Sequence, residues 1–303
     1  MDELDLKIIL LLMNNSRLTY REISDYLGLS VNAVYKRVQN LVDLGIIERF
    51  TARLKPYAIN ALYTFIFGQS NISVDNNLIN KIGEHENTWQ IILSSRNYVY
   101  IGAMLEDIHQ LEEYSQFVSE MAKILSPNVG LLSGIQYISP VPYIVPKSSS
   151  MDYDTLDIEI IRSLRTDARK PIREVAEDVN STPNTVRRRL DRLIEEGIIE
   201  LSINFNPKAS NDIFAVFQIE KNPTMNKTSF ARYLNEKYHP NLFYVWTFSN
   251  LPNLIHCWVW TNNMKDLNEL TQKIKEEDIN SLIFDIMYQA FYFNTWKEKK
   301  LCD

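Results

Sequence analysis

Apolar residues recur along the first fifty positions at helical spacing. Leu4, Ile8, Ile9 and Leu12 share one face of a first helix that ends near Asn14-Asn15. Thr19 is placed to cap a second helix, with Ile23 and Leu27 inward and Glu22 at the capping-box position. Gly28 permits a turn through the left-handed region. Ser30 caps a third helix that runs to Leu44, with Val34, Val38 and Leu41 inward, and Gly45 closes it. Ile46 to Phe50 and Arg53-Leu54 read as two short strands, a hairpin wing. Three helices with a tight turn before the third, then a hairpin, predict a winged helix-turn-helix.

The pattern returns 152 residues later. Leu156, Ile160, Ile161 and Leu164 repeat the first helix, and Pro171 to Val179 the second. Thr182 caps the third, Pro183 suits its first position, and Val186, Leu190 and Leu193 form its inner stripe. Gly197-Ile198-Ile199-Glu200 repeats Gly45-Ile46-Ile47-Glu48. Without gaps, 17 of the 47 positions from Asp2 to Glu48 are identical to their counterparts. They fall on core and turn positions, which identifies an internal duplication.

The segments after the two copies also correspond. Strand 63–69, helix 76–84, strands 89–94 and 98–105, helix 107–125 and strand 129–138 come after the first. Strand 213–220, helix 227–238, strands 242–248 and 254–260, helix 265–277 and strand 282–293 come after the second. Both read β-α-β-β-α-β, a ferredoxin-like antiparallel sheet with helices on one face. The expected fold class is α+β: two winged helix-turn-helix modules (1–54 and 153–205), each followed by a ferredoxin-like βαββαβ sheet domain (55–144 and 206–298). Val141 to Ser150 reads as a short semi-extended linker, with 145–152 between the halves.

Composition narrows the chemistry. At 303 residues the chain is long enough for several cores, and 45% hydrophobic with 23% charged is ordinary for globular domains. Two distant cysteines, Cys257 and Cys302, suit a reducing cytoplasm and no disulfide framework. The acidic start and the short apolar run Ile8 to Met13 predict neither a signal peptide nor a membrane span. His85, His109, His239 and His256 are scattered, so no metal site and no cofactor is expected.

A net charge of −6 argues mildly against nucleic acid, but local charge matters more. From Arg162 to Arg173 there are five cations against Asp167, and from Thr182 to Arg192 four against Asp191. The outer face of the third helix in the second copy carries Asn184, Arg187, Arg188 and Asp191; in the first it carries Asn32, Tyr35, Lys36 and Gln39. Arginine matches phosphate and guanine edges, asparagine matches adenine. Double-stranded DNA is therefore the expected partner, met by Ser30, Asn32, Tyr35, Lys36 and Gln39 in one copy and Thr182, Asn184, Thr185, Arg187, Arg188 and Arg192 in the other. Arg17 and Arg21, with Arg169, Lys170 and Arg173, are candidate phosphate clamps. Against this stands a solvated face with ion pairs to Glu195 or Glu196. For Arg37 and Arg189, internal bridges to Glu22 and Glu174 and contact with DNA stand as equal readings. The aromatic-rich last domain, Phe243 to Trp296, reads as sheet core and sheet interface ahead of a planar-ligand pocket.

The chain resembles the leucine-responsive/AsnC family of regulators. The resemblance rests on Leu4-Asp5, Ile8-Ile9, Arg17, Arg21-Glu22-Ile23, Gly28-Leu29-Ser30, Arg37 and Leu41 with Gly45 to Glu48. In the second copy it rests on Leu156-Asp157, Ile160-Ile161, Arg169, Glu174 to Ala176, Arg187 to Arg189 and Gly197 to Glu200. It implies a sequence-specific transcriptional regulator without catalysis, recognition helices 30–44 and 182–196 in the major groove, and sheets paired face to face. With two copies in one chain, it implies an intramolecular pseudo-dimer. Further pairing of chains and a small-molecule effector stay open. Where the family usually shows a glycine and an aspartate before the third sheet strand, this chain has Ser94 to Asn97 and Ser249 to Asn253. Two alternatives remain: an enzyme similar to sirohaem decarboxylases, which share the architecture, and a scaffold whose winged helices bind protein.

Overall fold

The computed structural model describes residues 1–136 and 153–297. The linker and Cys302 lie outside the described residues. In the first half, α1 (Glu3–Asn14), α2 (Tyr20–Leu27) and α3 (Val31–Asp43) lead to strand β1 (Ile47–Leu54). Next come β2 (Leu62–Gln69), α4 (Asn76–Gly83), β3 (Thr88–Ser94), β4 (Tyr98–Leu105), α5 (Gln110–Ala122) and β5 (Asn128–Gln136). The second half repeats the series as α6 (Thr155–Leu164), α7 (Ile172–Asp178), α8 (Pro183–Glu195) and β6 (Ile199–Phe205). Its sheet domain is β7 (Ile213–Lys221), α9 (Lys227–Tyr238), β8 (Leu242–Phe248), β9 (Leu254–Thr261), α10 (Met264–Lys275) and β10 (Ile279–Tyr292).

Local chemistry sets the helix ends. Thr19 and Glu22 form a reciprocal capping box on α2, and Gly28 ends it at φ 66°. Ser30 and Thr182 cap α3 and α8 through the amides of Ala33 and Thr185. α5 starts at Gln110, three residues later than the spacing suggests, because the Asp107 carboxylate accepts the His109 amide in a turn ahead of it. Lys123, in the left-handed region, ends it before Leu125.

The chain divides into two compact units, one holding both winged helix-turn-helix modules and the other both sheet halves. In the first unit the expected hairpin wing is absent. Residues 47–54 are one continuous strand, and nothing in Thr51-Ala52 has turn chemistry. β1 instead pairs antiparallel with β6 of the other copy, Thr51 opposite Ser202 and Arg53 opposite Glu200. Cross-copy bonds reinforce the join: Thr51 Oγ1 donates to the Arg165 carbonyl at 2.9 Å, and Ser202 Oγ to that of Met13 at 2.8 Å.

In the second unit each half has the ferredoxin-like strand order, β3-β4-β2-β5 and β8-β9-β7-β10, with helices on one face. The resemblance implies stacked sheets; here they also join at both edges. β5 pairs with β2 through Asn128 to Leu131 and then with β8 through Leu132 to Gln136. β10 pairs with β7 through Ile279 to Met287 and with β3 through Met287 to Tyr292. Each last strand is long enough to serve both halves, and the eight strands close into a barrel, which leaves neither sheet an open edge.

The barrel is filled by rings from both halves. Phe65 lies 4.6 Å from Trp246, and Phe67 lies 6.1 Å from Phe248 and 4.6 Å from His256, centroid to centroid. Glycines let the rings reach the backbone: a Cβ on Gly102 would sit 2.2 Å from Trp89 Nε1, and one on Gly130 2.5 Å from Phe248 Cδ1. One polar knot crosses the interface. The buried Asp285 carboxylate accepts Nε of Arg96 at 2.9 Å, its NH2 at 2.7 Å and the Tyr100 hydroxyl at 3.0 Å. Gln218 Nε2 donates to the Tyr100 hydroxyl at 2.9 Å.

Candidate nucleic-acid interface

α3 and α8 have the amphipathic form that the spacing predicts. Val34, Val38 and Leu41 are buried in one, Val186, Leu190 and Leu193 in the other. The opposite face of α8 exposes Asn184, Arg187, Arg188 and Asp191; Thr182 is exposed and Thr185 half-buried. The outer face of α3 exposes Ser30, Asn32, Tyr35 and Lys36, with Gln39 half-buried. Arg21 and Arg173 are exposed on α2 and α7, and Arg173 Nε lies 3.1 Å from Glu177. The two copies thus present corresponding faces with different chemistry, Tyr35 standing where the second copy has Arg187.

Other cations are engaged inside the unit. Arg17 donates through NH1 to the carbonyls of Ala168 at 2.7 Å and Lys170 at 3.0 Å. Arg169 donates through Nε to Ser16 at 2.7 Å and through NH2 to Leu18 at 3.0 Å. Its guanidinium also lies 4.4 Å from the Phe50 ring centre and 5.0 Å from that of Tyr20. Burial lowers the proton affinity of both guanidinium groups. Arg17 and Arg169, expected as phosphate clamps, direct these donors at the loop of the other copy, where they hold the two modules together. Lys170 turns to Asp178 at 2.7 Å. Its bond and that from Ser163 hold the Asp178 carboxyl below the usual range.

Arg37 and Arg189 do form internal bridges, but not to the expected glutamates. Arg37 meets Asp5 at 2.7 Å; Arg189 meets Asp154 at 2.7 Å and Asp157 at 3.1 Å. Asp157 is fully buried and also binds Arg192, which removes Arg192 from the outer face of α8. A third-helix arginine therefore answers an acid on the first helix in both copies. Asp5 and Asp157 carried the available signal, being identical residues 152 positions apart and off the apolar stripe. Among the described residues no cluster of three or more potential metal ligands occurs, and no helix is long and apolar enough to cross a membrane.

A winged helix-turn-helix DNA-binding family matches residues 1–48 and 153–200. An uncharacterised HTH-type transcriptional regulator of Pyrococcus furiosus is 42% identical over 67 residues, 22% of this chain. The chain spans only 45% of that relative's length. The HTH-type transcriptional regulator LrpA of Pyrococcus horikoshii is 27% identical over 140 residues, 46% of this chain and 93% of LrpA. Among solved structures, the siroheme decarboxylase NirDL shares the fold at a TM-score of 0.61 and 11% identity, covering 99% of this chain and 98% of its own. The match of one module to two places and the alignment of a whole regulator to about half of the chain point the same way. The chain carries a winged helix-turn-helix DNA-binding module twice, and each half follows the winged helix and sheet plan of regulators similar to LrpA.

Proposed function

We propose that the chain is a sequence-specific regulator of transcription that binds double-stranded DNA through α3 and α8 in successive major grooves. The observation that carries this is the exposed Asn184, Arg187 and Arg188 face of α8, held in one unit with its counterpart on α3. Arginine and asparagine supply the donor pairs that discriminate guanine and adenine. Arg21 and Arg173 flank these faces as phosphate contacts, and the helix starts at Ser30 and Thr182 offer further amides. The work is cytoplasmic, and the halves form an intramolecular pseudo-dimer. The test is retention on promoter duplexes at two salt concentrations, beside Arg187→Ala/Arg188→Ala. Binding that weakens steeply with salt and is lost in the variant supports the proposal; no binding by the wild type at either salt overturns it.

The likeness to NirDL over nearly the whole chain supports a second reading, an enzyme acting on sirohaem. Titration followed by absorbance separates the two. A saturable spectral shift with turnover favours the enzyme, and an unchanged spectrum favours the regulator.

A further inference from the structure

The equivalent faces of α3 and α8 are not chemically equivalent, and the difference is confined to particular positions. At the repeat offset Asn32 matches Asn184, while Val31 stands for Pro183, Tyr35 for Arg187 and Lys36 for Arg188. Val31 and Tyr35 lie one turn apart on α3, 46% and 47% exposed, although both are largely apolar. Exposed apolar surface beside an adenine-matching asparagine, at the start of a reading helix, has a counterpart in the major groove: the thymine methyl.

The Tyr35 ring is also oriented. It stands edge-on to Tyr20 at 5.4 Å between centroids, and Tyr20 in turn lies under the Arg169 guanidinium at 5.0 Å. Arg169 belongs to the second copy, so that copy's clamp positions a reading residue of the first. The reverse arrangement is not available, because Ile172 stands where the first copy has Tyr20 and Ser202 where it has Phe50.

We infer that the two helices read different half-sites. Each takes adenine through Asn32 or Asn184 at the same register; Val31 and Tyr35 take thymine where Arg187 takes guanine. The operator is then an inverted repeat broken at the base facing Tyr35 and Arg187. The inference rests on the DNA-binding reading above and specifies its target.

The experiment is selection of bound duplexes from a random-sequence pool with the full chain, with Tyr35→Arg and with Arg187→Tyr. The expected wild-type motif has adenine in both half-sites, guanine in one only and thymine at the equivalent place in the other. Tyr35→Arg should replace that thymine with guanine and make the motif symmetric, with discrimination of about 5- to 150-fold at that base. Arg187→Tyr should do the reverse. Both residues are exposed, so the fold should tolerate either change, and circular dichroism checks it. A symmetric wild-type motif overturns the inference, as does a Tyr35→Arg motif identical to the wild type's. No enrichment by any of the three overturns the DNA-binding reading itself.

Discussion

Arg17 and Arg169, 152 residues apart in equivalent positions, each close on the loop that carries the other. Arg17 binds the carbonyls of Ala168 and Lys170, and Arg169 those of Ser16 and Leu18. Bonds from a charged donor are each worth about 1.5–3 kcal/mol, and losing the donor also strands the carbonyls. Arg17→Ala or Arg169→Ala should therefore lower stability by about 3 kcal/mol, read from the urea midpoint of the winged-helix unit. Arg169→Ala should cost more, because it also abandons Phe50 and Tyr20. Equal midpoints for both variants and the wild type would contradict the clamp.

The acids behind the third helices should differ in cost. Asp157 is fully buried and holds Arg189 and Arg192, whereas Asp5 retains 13% exposure and meets Arg37. Breaking a buried pair costs about 3–5 kcal/mol, because a charge is left without compensation. Asp157→Asn should approach that figure and Asp5→Asn fall well short of it. Thermal unfolding of both variants checks the order.

The barrel interior should reject small additions. Gly102→Ala places a methyl 2.2 Å from Trp89 Nε1, and the facing atoms belong to a rigid indole. Overpacking of this kind costs about 1–3 kcal/mol. The same change at Gly28, where no heavy atom lies within 4 Å, is strained only by its φ of 66°. Near-ultraviolet circular dichroism should register Gly102→Ala through the tryptophan signal and leave Gly28→Ala unchanged.

His256 makes the barrel sensitive to acid. Burial holds its pKa down to about 3, among Phe67, Phe248 and Tyr100. Unfolded, the ring takes a proton near pH 6.5; folded, it stays neutral until about pH 3. Between those values the unfolded state binds more protons, so stability falls as the pH falls, by about 1.4 kcal/mol per unit. Above pH 6.5 the residue adds no slope. His256→Phe should flatten that part of the melting temperature profile from pH 6.5 to 4, and an unchanged slope would contradict it.

Much of this architecture was legible because it is local. Periodicity marks α3 through Val34, Val38 and Leu41, and cap chemistry at Thr19, Ser30 and Thr182 marks where helices begin. Pairing across the copies was not legible. β1 reads as two short strands in isolation, because its partner β6 lies about 150 residues away, from Ile199 opposite Leu54 to Phe205 opposite Ile47, and no local spacing announces it. The length of β10 is apparent only once β3 and β7 lie on either side of it. The candidate interface divided in the same way. The exposure of Arg187 and Arg188 follows from helix phase. The withdrawal of Arg17, Arg169 and Arg192 depends on carbonyls and a carboxylate that no local spacing announces.

Closing the barrel is a unimolecular event, because strands β5 and β10 tie two halves that are already covalently joined. A dimer of separate chains loosens on dilution, because its stability includes a concentration term. Here the partner's effective concentration is set by the connecting chain and does not change with copy number. A few molecules per cell stay as fully paired as a concentrated solution. Neither half can exchange for a half of another molecule without opening the barrel, so mutations in one copy are never averaged with those in the other.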